Sequence, residues 1–331
     1  MTSRQLCVTG LDGNSGGKSI KLRGRNADIN IKLSAWFGWS RPPFHTIGII
    51  PFILGTFLVW RLNHAINITI FILGLCGILL AMVSSYHASL YFGNGEDERS
   101  GLIFQRRFAV PSGAMPNSLF SDRITSLRIS IAAIVPALLI GLFLQFALRT
   151  GPLTLPLCVF CALPGFLYRT GPFHLDETGF GELFIGLCYG WFPTAAAFYL
   201  QRSYIPPCLH WMALPIGLSI FNVILLKEFH DHAADLSLNK TNLLVRVGKT
   251  RGGILYGLVS ILSWLALYAS LGTGIPRKAL YFYLPVMALS AGVSIMMARK
   301  KYENPLTLEL INGCTITVYL GTTAAYVLAF L

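Results

Sequence analysis

Residues 207–226, PCLHWMALPIGLSIFNVILL, are an apolar stretch, and residues 227–248, KEFHDHAADLSLNKTNLLVRVG, follow it with a dense set of charges. About twenty apolar residues are what an α-helix needs to cross a hydrocarbon core roughly 30 Å thick. In the charged part, Asp231 and Asp235 are four residues apart, so on a helix their side chains share one face. The stretch therefore predicts a membrane helix that ends in a pair of carboxylates.

The composition extends this prediction to the whole chain. Of its 331 residues, 54% are hydrophobic and only 12% are charged, whereas soluble domains are about one quarter charged. We therefore expect an all-α polytopic membrane protein with about nine transmembrane helices. The nine apolar stretches lie near residues 44–61, 66–91, 126–147, 151–168, 179–200, 207–226, 253–272, 279–298 and 309–330.

The positions of Lys and Arg predict the orientation in the membrane. With the N-terminus in the cytoplasm, 21 of the 26 basic residues lie on the inner side, as the positive-inside rule requires. The N-terminus and the two acidic segments described below are then cytoplasmic, and the C-terminus is on the opposite side. Residues 1–35 are polar and predict a flexible cytoplasmic tail before a single domain, residues 36–331. The net charge of +12 follows from this topology, so we expect membrane lipids and no nucleic acid as partners.

Acidic residues concentrate in two segments on the predicted cytoplasmic side. Six of the fourteen are Glu96, Asp97, Glu98, Glu228, Asp231 and Asp235. Mg²⁺ binds one or two carboxylates together with phosphate oxygens, and nearby cations balance the remaining charge. Since Lys240 and Arg246 follow the Asp pair closely, the pattern is typical of a metal-bound diphosphate site. A solvated cytoplasmic loop, basic because such loops usually are, is the alternative.

Glu182 is a separate feature, because it stands at the beginning of an apolar stretch. An unpaired carboxylate there costs a few kcal/mol, so its side chain should face a polar cavity or a partner. An acid that is favoured by the positive end of the helix dipole is the alternative explanation.

The segment from Lys227 resembles the second signature of the UbiA-type intramembrane prenyltransferases, D-x-x-x-D followed by G-K-x-[TN]-L-x-V-R-[LV]-G. Other elements are similar in the same order across about 290 residues, and Tyr168 to Pro172 with Gly179-x-Gly181-Glu182 resembles the branch of 1,4-dihydroxy-2-naphthoate (menaquinone-type) prenyltransferases. The residues that match the second signature are Asp231, Asp235, Lys240, Asn242, Leu243, Val245, Arg246 and Gly248, with Asn239 in place of the usual Gly.

This resemblance implies a single helix bundle around a central cavity, in which a prenyl chain passes from a prenyl diphosphate to a lipophilic acceptor, often an aromatic quinone precursor. It also implies Mg²⁺ as cofactor. The residues that it assigns as catalytic metal ligands are Asp231, Asp235 and Asp97, with Glu96 as a replacement ligand. The residues that it assigns to neutralisation of the diphosphate are Lys240, Arg246, Lys227 and Arg107.

The first signature of the family, N-[DE]-x-x-D-x-x-x-D, is depleted in this chain. In the best placement Ser89, Leu90 and Gly93 stand for the Asn and the first two acids, and Asp97 alone is retained. In another placement, Ala88 and Tyr91 stand at the positions of the same two acids. Three hypotheses follow: a transferase in which Glu96 and Glu98 substitute for the missing ligands, a terpene cyclase, and a non-enzymatic membrane protein that binds an isoprenoid or a quinone.

Overall fold

The structure is a computed structural model that describes residues 42–104, 123–168, 174–237 and 239–331. Within these ranges, nine helices carry the apolar stretches. The predicted tail, residues 1–35, lies outside the described residues, and the division into tail and domain stays a prediction. The helices are α1 (Pro42–Asn63), α2 (Ile68–Phe104), α3 (Arg123–Leu142), α4 (Thr154–Leu167), α5 (Gly181–Arg202), α6 (Pro207–Ser237), α7 (Lys249–Ser270), α8 (Lys278–Ala298) and α9 (Pro305–Phe330).

Seven helices of the described ranges are long and apolar enough to cross a membrane, and α1 and α4 contribute two shorter apolar segments, Ile47–Asn63 and Thr154–Leu163. The described ranges contain no strand. Helices are expected because the hydrocarbon core offers no water to the backbone, whose polar groups must then bond within the segment. The predicted all-α membrane fold is thereby confirmed, and the short fourth span is the shortest of the nine helices.

The helices that carry the second and sixth spans extend beyond their apolar stretches. The apolar stretches end near residues 91 and 226, and the helices continue to Phe104 and Ser237. With 31 residues, α6 is about 46 Å long at 1.5 Å per residue, which exceeds the thickness of the hydrocarbon core. The two acidic segments are therefore helical extensions of membrane helices rather than loops.

The bundle closes where its first and last long helices meet. The Tyr319 hydroxyl on α9 donates a hydrogen bond of 2.6 Å to the carbonyl oxygen of Ile47 on α1. The largest apolar cluster joins side chains of α1, α5, α6 and α9, including Leu58, Phe198 and Ile216. The central helices α5 and α6 are consequently enclosed by the others.

Glycines permit a close crossing of α5 and α6. A Cβ atom at Gly190 would lie 2.7 Å from the Cα of Gly217, and one at Gly186 would lie 2.7 Å from the Gly217 carbonyl oxygen. Real Cβ atoms essentially never approach so closely. Beside this crossing, residues Leu187–Trp191 form a π-helical turn within α5. The crossing brings the beginning of α5, which carries Glu182, against the charged half of α6.

Candidate active site

A pocket that is open to solvent, and that encloses about 400 Å³ together with its open part, lies at the charged end of α6. Four of the eight residues that the sequence analysis assigned, Lys227, Asp231, Asp235 and Lys240, meet in its wall. The complete lining is Tyr168, Ile224, Lys227, Glu228, Asp231, Asp235, Lys240 and Asn242. Three carboxylates and two ammonium groups thus surround one opening at the end of an apolar helix.

The Asp pair occupies one face of α6, as its spacing predicted. Asp231 is partly exposed, whereas Asp235 is 9% exposed and lies deeper. The Nδ2 atom of Asn242 donates a hydrogen bond of 2.8 Å to Oδ2 of Asp235. This contact orients the Asp235 carboxylate, because an ionised carboxylate only accepts hydrogen bonds.

The segment after α6 folds back over the pocket. The backbone N–H of Lys240 donates to the carbonyl oxygen of Asp235 at 2.9 Å. Asn242 then caps the short helix Leu243–Val247, since its Oδ1 accepts from the N–H of Val245 at 2.9 Å. In the same short helix, the backbone N–H of Leu244 donates to Oε2 of Glu228 at 2.9 Å. Asn242 and Glu228 therefore fix the returning segment to α6.

Arg246 does not line the pocket. Its Nε donates to the carbonyl oxygen of Thr241 at 2.6 Å, and its Nη2 donates to that of Glu177 at 2.9 Å. The Thr241 hydroxyl also donates to the Glu177 carbonyl, at 2.9 Å. The guanidinium group thus ties the segment after α6 to the short helix Leu175–Thr178, and its assignment to diphosphate binding stays a prediction.

The first acidic segment is described only by its backbone. Glu96, Asp97 and Glu98 lie on the helical extension of α2, and their side-chain positions are not among those that the structure describes. Arg107 lies outside the described residues. The role of Asp97, Glu96 and Arg107 in the site stays a prediction.

Two further acidic residues, Glu182 and Glu228, lie at the site although no role was assigned to them from the sequence. Glu182 is fully buried and lies beside the carboxyl group of Glu228, which is 7% exposed and lines the pocket. The polar neighbour of Glu182 is thus a second carboxyl group, and no described group donates a hydrogen bond to either of its oxygens. The spacing of residues 228, 231 and 235 places three acids on one helix face, and this signal could have identified Glu228 from the sequence.

Comparisons with known proteins find similarity to one family. The profile described as the UbiA prenyltransferase family matches residues 48–307. Similar curated proteins include a 2-carboxy-1,4-naphthoquinone phytyltransferase from Synechocystis, 24% identical over 72% of this chain and 73% of that protein. The 1,4-dihydroxy-2-naphthoate octaprenyltransferase of Bacillus subtilis is 22% identical over 88% of this chain and 89% of its own length. The 1,4-dihydroxy-2-naphthoate octaprenyltransferase of Mycobacterium tuberculosis is 26% identical over 72% of this chain and 78% of its own length.

Two solved structures share the fold. A structure of digeranylgeranylglyceryl phosphate synthase covers 90% of this chain and 98% of its own, with a TM-score of 0.61 and 16% identity. The apo structure of a UbiA homologue from Aeropyrum pernix K1 covers 83% of this chain and 97% of its own, with a TM-score of 0.55 and 15% identity. Since the family profile spans most of a chain whose helices are long and apolar enough to cross a membrane, this protein belongs to the UbiA family and is an integral membrane prenyltransferase.

Proposed function

We propose that the protein transfers a prenyl chain from a prenyl diphosphate to an aromatic acceptor of the naphthoate class. The observation that carries the proposal is the pocket in which Asp231 and Asp235 meet Lys227 and Lys240 at the end of a membrane helix. A metal-bound diphosphate needs both carboxylates and cations, and the isoprenoid attached to it needs apolar surroundings. The acceptor class is suggested by the names of the three curated relatives.

Asp231 and Asp235 are the residues that would hold Mg²⁺. Among the described residues, no group of three or more His, Cys, Asp and Glu side chains could hold a metal ion. Mg²⁺ is usually bound by one or two carboxylates with substrate phosphates and water completing its shell, so the Asp pair is a sufficient set of protein ligands. When bound, it stabilises the negative charge on the departing diphosphate. We assign Asp97 and Glu96, on the extension of α2, to the same task.

The lysines in the pocket wall balance the charge of the diphosphate. Lys227 and Lys240 flank the Asp pair in the lining, and an ammonium group is a compact point charge that suits a phosphate oxygen. Arg246 is kept on its carbonyl partners, so we assign to it the placement of Lys240 and Asn242 in addition to a contribution of charge. Arg107 would add a further cation from outside the described residues.

The apolar part of the wall protects the reactive chain. Ile224 and Tyr168 line the pocket beside the charged groups, and an apolar boundary keeps water from an allylic cation. An aromatic face also attracts a cation electrostatically. We place this pocket at the cytoplasmic face, together with the N-terminus, because the basic residues concentrate on that side.

A terpene cyclase is the second candidate function. Ser89, Leu90 and Gly93 stand where the family's first signature has its Asn and two acids, which favours a changed reaction of the same allylic cation. In a cyclase the cation would be captured by a double bond of its own chain, and no acceptor would be needed.

The test is release of diphosphate by the purified protein in detergent, with prenyl diphosphates of several lengths, with and without 1,4-dihydroxy-2-naphthoate. We expect release that needs Mg²⁺ and that falls by about 100-fold or more in Asp231→Asn, since the metal supplies several kcal/mol of charge stabilisation. The matched control is Glu303→Gln, because Glu303 is an exposed acid outside the pocket lining.

The acceptor dependence decides between the two candidates. A prenylated naphthoate product supports the transferase, whereas acceptor-independent release with a cyclic product supports the cyclase. If the folded protein releases no diphosphate with any chain length, both proposals are wrong and the binding-protein hypothesis takes their place.

A further inference from the structure

Two carboxyl groups lie side by side in the interior beneath the pocket. Glu182, in the first turn of α5, has no exposed surface, and Glu228, on α6, is 7% exposed. The close glycine crossing of α5 and α6, where Gly186 and Gly190 meet Gly217, holds their two helices together. The pair is therefore fixed by the packing of the bundle and not by a flexible surface segment.

The hydrogen bonds of the two groups differ. Oε2 of Glu228 accepts from the backbone N–H of Leu244 at 2.9 Å. No described group donates a hydrogen bond to either carboxylate oxygen of Glu182, and its neighbour is the carboxyl group of Glu228. Two ionised carboxylates can only accept hydrogen bonds, so a bond between them requires that one carries a proton.

Electrostatics also favours one proton for the pair. Two adjacent negative charges in an apolar interior repel strongly, and such carboxyl pairs usually share a single proton. The other charged groups that line the pocket with Glu228 are Lys227, Asp231 and Asp235 on α6 and Lys240 on the segment after it, and Tyr168 approaches from the end of α4. The pair thus has a buried member, Glu182, and a member that reaches the pocket, Glu228.

We propose that Glu182 and Glu228 share one proton and that Glu228 accepts the proton which the acceptor loses on prenylation. This inference rests on the transferase function proposed above. The allylic C–O bond breaks and its electron pair leaves with the diphosphate. The ring of the acceptor forms the new C–C bond with its π electrons, and the proton of that ring carbon passes to Glu228. The charge of the pair changes from −1 to zero, and the second proton leaves through the open pocket.

The shared proton is tested without substrate by infrared spectroscopy of the protein in nanodiscs at neutral pH. A protonated carboxyl group has a C=O stretch that an ionised carboxylate lacks and that shifts in D₂O. We expect this band in the wild type and in the control Glu303→Gln. We expect its loss in Glu182→Gln, because the amide would donate to an ionised Glu228. A wild type without the band, or a band that persists in Glu182→Gln, would overturn the shared proton.

The proton transfer is tested kinetically in Glu228→Gln, whose folding is checked by thermal unfolding. We expect diphosphate release to continue while prenylation of the acceptor falls by about 100-fold or more, as for the loss of a general base. A deuterium isotope effect, with the acceptor labelled at the reacting ring carbon, should be larger in Glu228→Gln than in the wild type. A structural defect would not produce that effect.

The outcomes separate this inference from the proposed function. Unchanged prenylation and an unchanged isotope effect in Glu228→Gln overturn the proton transfer while the transferase stands. If the wild type itself releases no diphosphate with Mg²⁺, the proposed function fails and the proton transfer fails with it. The infrared result then still decides whether the carboxyl pair holds a proton.

Discussion

Asn242 connects Asp235 to the short helix Leu243–Val247. Its Nδ2 donates to Asp235 and its Oδ1 accepts from the N–H of Val245. Asn242→Ala should lower the free energy of unfolding by about 1–2 kcal/mol, the usual cost of a lost helix cap. It should also raise the Mg²⁺ concentration that activity requires. Asn242→Thr separates the two effects, since a hydroxyl group can still cap the helix. Thermal unfolding measures the loss of stability, and Mg²⁺ titration of activity measures the effect on metal binding. If both variants lose the same stability and need the same Mg²⁺ concentration, the two effects are not separate.

Arg246 is expected to act through the position of its loop. Its planar guanidinium reaches the carbonyl oxygens of Thr241 and Glu177 together, which the single ammonium of a lysine cannot reproduce. In Arg246→Lys we expect faster amide hydrogen exchange in residues 239–248 and reduced activity. The control is Arg251→Lys, because Arg251 is exposed on α7. Unchanged exchange in Arg246→Lys would show that the contacts carry little of the loop's stability.

At the scale of helices, the crossing of α5 and α6 determines whether the carboxyl pair can form. Gly190→Ala places a Cβ atom 2.7 Å from the Gly217 Cα, so the helices must separate. We expect a loss of about 1–3 kcal/mol in the free energy of unfolding, as for other overpacked sites, and loss of the infrared band of the protonated pair.

Gly257→Ala is the matched control for that crossing. No atom lies within 4 Å of a Cβ built at Gly257 on α7, and alanine is favoured over glycine in a helix interior by roughly 0.5–1 kcal/mol. We expect its melting temperature to equal or exceed that of the wild type. If both variants melt alike, the α5–α6 contact is looser than the structure indicates.

At the scale of the whole molecule, the distribution of basic residues predicts which face carries the pocket. In a cysteine-free background, Glu303→Cys marks the turn between α8 and α9, and Arg277→Cys marks the turn between α7 and α8. A membrane-impermeant thiol reagent should label the first from the cytoplasmic side and the second from the other side. The reverse pattern in sealed vesicles would invert the proposed orientation.

The long helices and the Asp pair were predictable because their signals are local. Apolar length identifies a membrane helix wherever its neighbours lie, and the four-residue spacing of Asp231 and Asp235 places both on one face once the segment is helical. How far α2 and α6 continue beyond their apolar stretches could not be predicted from hydropathy, because that signal ends where the apolar residues end. Helical hydrogen bonds, in contrast, persist in water through Glu, Lys and Ala residues.

The sequence by itself determined the membrane class, the helical segments and the acidic face of α6, since each depends on residues within a few turns of one another. Only the tertiary structure decided that Glu182 meets Glu228 and that Arg246 binds the Glu177 carbonyl, 69 residues away in the chain. Such contacts depend on how closely helices pack. The distance between α5 and α6 is determined by three glycines. Their effect appears only when the two helices are brought together.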